Sequence, residues 1–274
     1  MNNPMISVIM PNLNGKKRLV QAINSVLAQR YTNFELIVID GRSTDGSHEI
    51  LARLASEDTR LRWVQEEDTG LSDAINQGVK KASGDIIAYL GSDDEYLPGI
   101  FDHVAWMAER IAFDALLFSS YTYFVKEKKC VLQTPSTREI TSETLLEFGT
   151  IVGLQNIFYR SSVFSVHSFD ISLQFAMDYQ LLWDLVLDDT SRMFVFSDRI
   201  ASINYFEGNI SHNNPDQAYE AMMIAQARMG TYTGPVWFQS LLPPPPPPPP
   251  SPISFKKRLL CRLGELIRIL GRRL

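Results

Sequence analysis

The side chains in this sequence that could do chemistry fall in a few short polar clusters. Pro11-Asn12, Asp40-Gly41 and Ser92-Asp93-Asp94 each end an apolar run, and the segment 66–76 carries Glu66, Asp68, Asp73 and Asn76. In an open α/β sheet, ligands sit at the carboxyl ends of the strands, which is where the first three clusters lie. Carboxylates that converge there repel one another unless a cation sits among them. The simplest chemistry is a divalent metal bound with a phosphate-bearing ligand, since Mg²⁺ and Mn²⁺ take oxygen donors, often one or two carboxylates plus substrate phosphates. The plainer alternative is that Asp93 and Asp94 cap the helix behind them, with Pro98 in its first turn.

Two phosphate-loop patterns are excluded. Gly41-Arg42-Ser43-Thr44-Asp45-Gly46 has glycines five apart, but Ser47-His48 follows where Lys-Ser/Thr is required, and Ser43 stands where a dinucleotide loop needs its second glycine. The loop reads instead as a strand-to-helix turn that leaves Asp40 free to point into a pocket. His48, His103, His167 and His212 show no paired metal spacing and read as surface or packing residues, with His212 also a candidate for touching a diphosphate. Asp184, Asp188 and Asp189 read as a solvated helix face or end.

These clusters are positioned by alternating elements. Apolar runs at 5–10, 34–39, 61–64 and 85–90 alternate with helical patterns near 17–29, 47–56 and 71–82. Such alternation implies βαβ units and a largely parallel sheet covered on both faces. After Pro98 the rhythm becomes mixed. Helices are expected near 100–111, 142–148, 178–186 and 215–229, and strands near 115–125, 130–133, 155–159, 193–196 and 200–206. This half extends the sheet and offers a second pocket wall.

The stretches SVIMPNLN, AINSVLAQRYTNFELIVIDGRSTDGS, EEDTGLSDAINQGVKKASGDIIAYLGSDD and FAMDYQLLWDL resemble glycosyltransferase family 2, whose members are inverting, metal-dependent enzymes of the GT-A fold that use nucleotide-sugar donors. Residues 5–95 match nearly end to end, and patches continue to about residue 212. The resemblance implies a Rossmann-like, mostly parallel α/β sheet flanked by helices. It implies that Pro11, Asn12 and Asn14 line the nucleotide pocket, and that Asp40 hydrogen-bonds the base. Asp68, Asp73 and Asn76 would contact ribose or the donor's phosphate and sugar. Ser92, Asp93 and Asp94 stand where the family has its Asp-x-Asp element, so that Asp94 and Asp93 would hold Mn²⁺ or Mg²⁺. Ser92 replaces the first carboxylate of that element. Asp178 matches the general base, against the alternative that it is the N-cap of a helix over 179–187. Gln155, Trp183 and His212 fall on the acceptor side, although tryptophans are more often core than sugar platforms. The donor implied is a nucleotide sugar, most commonly of UDP, and the acceptor a glycan or lipid-linked glycan of surface polysaccharide assembly. No Gln-x-x-Arg-Trp element of processive synthases is present, so addition of a single sugar is expected. The alternatives are a non-catalytic GT-A-like scaffold assembling through its C-terminal helix and a nucleotidyltransferase. The latter is disfavoured because no Gly-rich, Arg/Lys-bearing loop follows the first strand.

Of 274 residues, 45% are hydrophobic and 21% charged, an ordinary globular composition. The net charge is −5, but residues 255–274 hold seven Lys/Arg against Glu265, which leaves −11 on the remainder. An acidic body argues against nucleic-acid binding. Cys130 and Cys261 form no disulfide or metal pattern, and neither a long apolar run nor a signal-peptide segment is evident, so a cytoplasmic protein without a membrane span is expected. The chain divides into a nucleotide-sugar-binding half (1–97), an acceptor-binding half (98–235), a proline-rich linker (236–252) containing eight consecutive prolines, and a basic amphipathic helix (253–274). Leucines on one arc and arginines on the other suit a peripheral position on the inner face of the cell membrane, or docking on a partner protein.

Overall fold

Ile6–Asn12 (β1) and Phe34–Asp40 (β2) are apolar on both faces because both faces are covered, and almost every residue in them is buried. They pair in parallel from Ile6 opposite Phe34 to Asn12 opposite Asp40. That register alone sets the two polar strand ends side by side. Leu61–Gln65 (β3) lies parallel to β2, and Ile86–Tyr89 (β4) parallel to β1. The computed structural model describes residues 3–207 and 215–229, all within one compact unit.

The connecting helices are Lys16–Leu27 (α1), Ser47–Glu57 (α2) and Leu71–Lys81 (α3). Alternate strand residues point to opposite faces. Val8, Met10, Leu36 and Val38 pack with Leu19, Ile23 and Val26 of α1, with Leu51 of α2, and with Phe101 and Val104 of Ile100–Ala108 (α4). Ile9, Ile37, Ile39 and Ile87 pack on the other face against Ala74 of α3.

The second half builds onto the same sheet. A two-residue strand, Glu95–Tyr96 (β5), is followed after α4 by Ala115–Phe124 (β6), Lys129–Gln133 (β7), Ile157–Arg160 (β8) and Met193–Phe206 (β9). The order is β3-β2-β1-β4-β8-β6-β9-β5, with β7 paired to β6. Strand β8 runs antiparallel to both β4 and β6, so the 98–235 half joins the 1–97 half through continuous hydrogen bonding. Ser142–Phe148 (α5), Met177–Leu187 (α6) and Pro215–Met229 (α7) complete the helices; Leu145, Trp183, Leu185, Ile224 and Ala225 from them form a second core with Ile157 and Tyr159.

Several expectations change. Helix α4 starts at Ile100 behind Gly99, whose φ of 88° suits glycine, so Pro98 lies outside its first turn and neither Asp93 nor Asp94 caps it. The expected strands at 193–196 and 200–206 are one strand whose pairing with β6 shifts register around Ser119. The bulge interrupts the alternation that would have marked them as continuous. Helix α6 begins at Met177 with Ala176 as its N-cap, which removes Asp178 from the capping position. The proline-rich linker, the basic C-terminal segment 253–274 and His212 lie outside the described residues. Among those described, no helix is long and apolar enough to cross a membrane.

Candidate active site

The ends of β1 and β2 are tied by a network centred on Asp40. Its Oδ1 accepts from Asn12 Nδ2 at 2.7 Å and from Ser43 Oγ at 2.6 Å; its Oδ2 accepts from Ser43 N at 2.9 Å and meets His48 Nε2 at 2.6 Å. Asp40 is 0% exposed. Burial pushes its carboxyl up, but the bonds from Ser43, Asn12 and His48 outweigh that and hold it below the usual carboxylate range. Both oxygens of Asp40 meet protein partners, so Asp40 orders Asn12, Ser43 and His48 and ties the two strand ends, in addition to any contact with a nucleobase. His48 packs, stacking on Trp63 with ring centroids 5.6 Å apart, and in addition bonds Asp40. Asn12 Oδ1 is buried with no partner, and a Cβ at Gly15 would come within 2.2 Å of it and 2.6 Å of Ser92 Oγ. Glycine there leaves Asn12 and Ser92 converging across the β1 and β4 ends. Pro11 is half-buried in β1, while Asn14, at φ 55°, accepts from Thr44 N at 2.8 Å and so braces the loop after β2.

Asp68 lies against Gly41, whose added Cβ would sit 2.6 Å from Asp68 Oδ2. Burial, then the charges of Asp73 and Asp40, raise its carboxyl despite a bond from Gly70 N. Asp73, in the first turn of α3, accepts from Thr69 N at 3.0 Å. Asn76 Nδ2 donates to Phe169 O at 2.8 Å and its Oδ1 accepts from Phe169 N at 3.1 Å, so one donor and one acceptor position of the amide pin residue 169 to α3.

The third cluster gathers around Tyr89, the last residue of β4. A Cβ at Gly91 would lie 2.8 Å from Asp93 Oδ1, 3.4 Å from Asp94 Oδ2 and 3.6 Å from the Tyr89 hydroxyl. Burial raises the Tyr89 hydroxyl, and the charges of Asp94, Asp93 and Asp178 raise it further, so all three carboxylates bear on one side chain. Asp94 is 8% exposed and accepts from Tyr205 N at 3.0 Å. Burial, then the charge of Asp93, push it up to about 8. Asp178 is 7% exposed, and burial pushes it up to about 7 even though Oδ1 accepts from Tyr179 N at 2.8 Å. Tyr159, buried with an unpartnered hydroxyl, also feels the Asp178 charge.

Among the described residues, no group of three or more His, Cys, Asp or Glu is arranged to hold a metal ion. The donor set at Asp93-Asp94 nevertheless fits Mn²⁺ or Mg²⁺. A buried carboxyl beside a second carboxylate keeps its proton until a cation supplies charge, and these ions take their remaining oxygens from water and phosphate. On the expected acceptor side, Trp183 is corrected: it is 0% exposed, within the second core, and is no sugar platform. Gln155 is half-buried in a short 3₁₀ turn, Leu154–Asn156, ahead of β8. An open depression of about 500 Å³ lies elsewhere, between Asn76, residues 166–171 and Gln180 and Asp184 of α6. It shares no residue with the Asp40 network or with Asp93, Asp94 and Asp178. The reading from sequence passed over Tyr89 and Tyr205 and discounted His48. Tyr89 carried a signal in its place at the end of a strand, three residues before Ser92.

Residues 7–173 match the family described as Glycosyl transferase family 2. An uncharacterized glycosyltransferase of Rickettsia bellii is 28% identical over 186 residues, covering 65% of this chain and 27% of that protein. One of Haemophilus influenzae is 45% identical over 95 residues, 34% of this chain and 38% of the relative. The putative teichuronic acid biosynthesis glycosyltransferase TuaG of Bacillus subtilis is 32% identical over 126 residues, 45% of this chain and 49% of its own. The chain thus spans between about a quarter and a half of the length of these curated relatives. Among solved structures, S. aureus TarS 1–349 in complex with UDP-GlcNAc superposes with a TM-score of 0.66 at 20% identity, covering 86% of this chain and 70% of that one. The mannosyltransferase PcManGT from Pyrobaculum calidifontis, in complex with GDP-Man and Mn²⁺, gives 0.62 at 16% identity, covering 88% and 68%. At these identities the structures speak for the fold alone, which is GT-A. With a family match across more than half its length, on a mixed α/β sheet that superposes on GT-A enzymes, the chain belongs to glycosyl transferase family 2.

Proposed function

We propose that this glycosyltransferase moves a single sugar from a nucleoside-diphosphate sugar to an acceptor hydroxyl, with inversion and with Asp178 as general base. The observation that carries the reading is that buried Asp94 and its neighbour Asp93, and buried Asp178 from a distant part of the chain, all raise the Tyr89 hydroxyl through their charge. Asn12 and Ser92 on one side, and Asp68 and Asp73 on the other, bound the donor pocket. A divalent ion, when held by Asp94 and Asp93, supplies the positive charge that offsets the charge of a departing diphosphate. Asp178 takes the proton of the acceptor hydroxyl as that oxygen attacks the anomeric carbon from the face opposite the leaving group. A base works best with a pKa near the operating pH, and Asp178 sits at about 7.

The bound UDP-GlcNAc of the TarS structure supports a UDP-sugar as the first donor to test, and the GDP-Man and Mn²⁺ of PcManGT support Mn²⁺ in the assay. The name of the TuaG relative supports a glycan or lipid-linked glycan acceptor in surface polysaccharide assembly. Residues 253–274, basic on one arc and apolar on the other, are proposed to hold a cytoplasmic enzyme on the inner face of the membrane, with docking on a partner protein as the other outcome. The central experiment is metal-dependent release of nucleoside diphosphate from a panel of UDP- and GDP-sugars. Chelation with EDTA abolishes release and Mn²⁺ restores it; a folded protein that turns over no donor overturns the reading. Truncation after Leu242 releases the protein from membranes and leaves donor turnover intact.

A further inference from the structure

Helix α6 carries Asp178 in its first turn, yet no side chain of its own caps it. The four leading N–H groups of any helix need partners from elsewhere. Here the approach to the helix is taken by a carboxylate more than forty residues later. Glu220 Oε1 accepts from Gln174 N at 2.9 Å, and Glu220 Oε2 accepts from Phe175 N and from Ala176 N, each at 2.9 Å. Successive backbone N–H groups form a concave anion site, and this one is filled by the protein's own α7. The same segment is tethered from the other side, where Ser72 Oγ of α3 donates to Leu173 O at 3.1 Å. Along the rest of the pair, Ile224 and Ala225 of α7 enter the core that holds Trp183 and Leu185 of α6, and Arg228 pairs with Asp184.

We propose that Glu220 is a positioning residue for Asp178: by clasping residues 174–176 it sets where the first turn of α6 begins, and so where the Asp178 carboxylate stands relative to Tyr89, Asp93 and Asp94. The assignment rests on Asp178 being the base, but the clasp itself does not. Ala176 lies two residues before Asp178, and Tyr179 N is bound to Asp178 Oδ1. A shift of the helix start therefore moves the carboxylate as a unit with it. A base misplaced by about 1 Å costs on the order of 100-fold in rate.

The test compares Glu220→Ala, Glu220→Gln and Asp178→Asn with the full-length chain. Its readouts are amide hydrogen exchange over 174–180 and Mn²⁺-dependent hydrolysis of the best of UDP-GlcNAc, UDP-glucose and GDP-mannose. In E220A, exchange at 174–180 rises and kcat falls about 10- to 100-fold with the donor KM unchanged. E220Q keeps an acceptor for Phe175 and Ala176 but sets an amide donor against Gln174 N; it recovers part of both readouts, and carries the test should E220A not fold. Wild-type exchange at 174–180 in both Glu220 variants overturns the clasp. Raised exchange with an unchanged kcat overturns its link to Asp178. A D178N enzyme with wild-type turnover overturns the base reading instead, while the exchange data still decide the clasp.

Discussion

Asp40 at the end of β2 and Asp178 at the start of α6 are both shut away from water, yet their surroundings act in opposite directions. Asp40 has two partners on each oxygen, from Asn12, Ser43 and His48, and is held below the usual carboxylate range. Asp178 has a bond from Tyr179 N to set against its burial and is pushed up to about 7. Asp94 resembles Asp178, with Asp93 adding like charge. A buried carboxylate whose charge is already met by hydrogen-bond partners is a structural tie. One left short of donors keeps an appetite for a proton or a cation, which is what transfer chemistry uses. The Asp40 end of the candidate site is thus built for order, and the Asp94 and Asp178 end for the reaction proposed above.

The sharpest way to break this contrast is Asp178→Asn. It is expected to lower kcat by about 10²- to 10⁴-fold, the usual loss for a general base, while making the fold more stable near neutral pH. The sign follows from the raised carboxyl: between about pH 4 and pH 7 the folded state holds a proton that the unfolded chain has released, so wild-type stability falls as pH rises through that window. The stability gap in favour of D178N therefore opens from pH 4 upward and reaches on the order of 4 kcal/mol above pH 7, read by thermal melts across pH. A gap between D178N and wild type no larger at pH 8 than at pH 4 contradicts the assignment.

Asp94→Asn is expected to cost about 10²- to 10³-fold in metal-dependent turnover. Because Asp94 stands at about 8, binding Mn²⁺ must displace a proton, and apparent Mn²⁺ affinity weakens as pH falls below 8. Titration of activity against Mn²⁺ at pH 6.5 and 8.5 checks this directly.

Asp40→Asn reads the opposite end of the contrast. It is expected to destabilise the fold by about 2–3 kcal/mol, as the bonds from Ser43 and His48 lose their charged acceptor. Its lowered carboxyl contributes stability that is fully present above about pH 4 and is lost as pH falls through the folded value, so mutant and wild-type denaturation curves converge in acid. The smallest effect is expected for Asn76→Ala, about 1–2 kcal/mol of stability for two lost bonds to Phe169. Its donor KM should stay at the wild-type value; a several-fold rise would assign it a donor role beside the tie to Phe169.

Much of this was legible before any coordinates. The apolar runs at 5–10 and 34–39, closed by Asn12 and Asp40, could hardly be anything but neighbouring buried strands, and the 142–148 and 215–229 helices appear where their periodicity put them. Local pattern failed where the cause was not local. Glu95–Tyr96 is too short to show a period, and the bulge opposite Ser119 broke the alternation of β9 into two apparent strands. Asn76 sat at the right motif position for a donor contact, but nothing near it in sequence announced Phe169, 93 residues on, as its partner.

The order of residues by itself determined the α/β class, the parallel nucleotide-side sheet and the gathering of acidic groups at strand ends, because those follow from side-chain period and from where strands must stop. Tertiary structure alone decided which of the acidic groups would be neutralised. Whether a carboxylate ends among donors, as Asp40 does, or is buried with few of them, as Asp94 and Asp178 are, depends on groups brought in from tens of residues away. Charge is set by what surrounds a side chain in space, and distance along the chain carries no record of that.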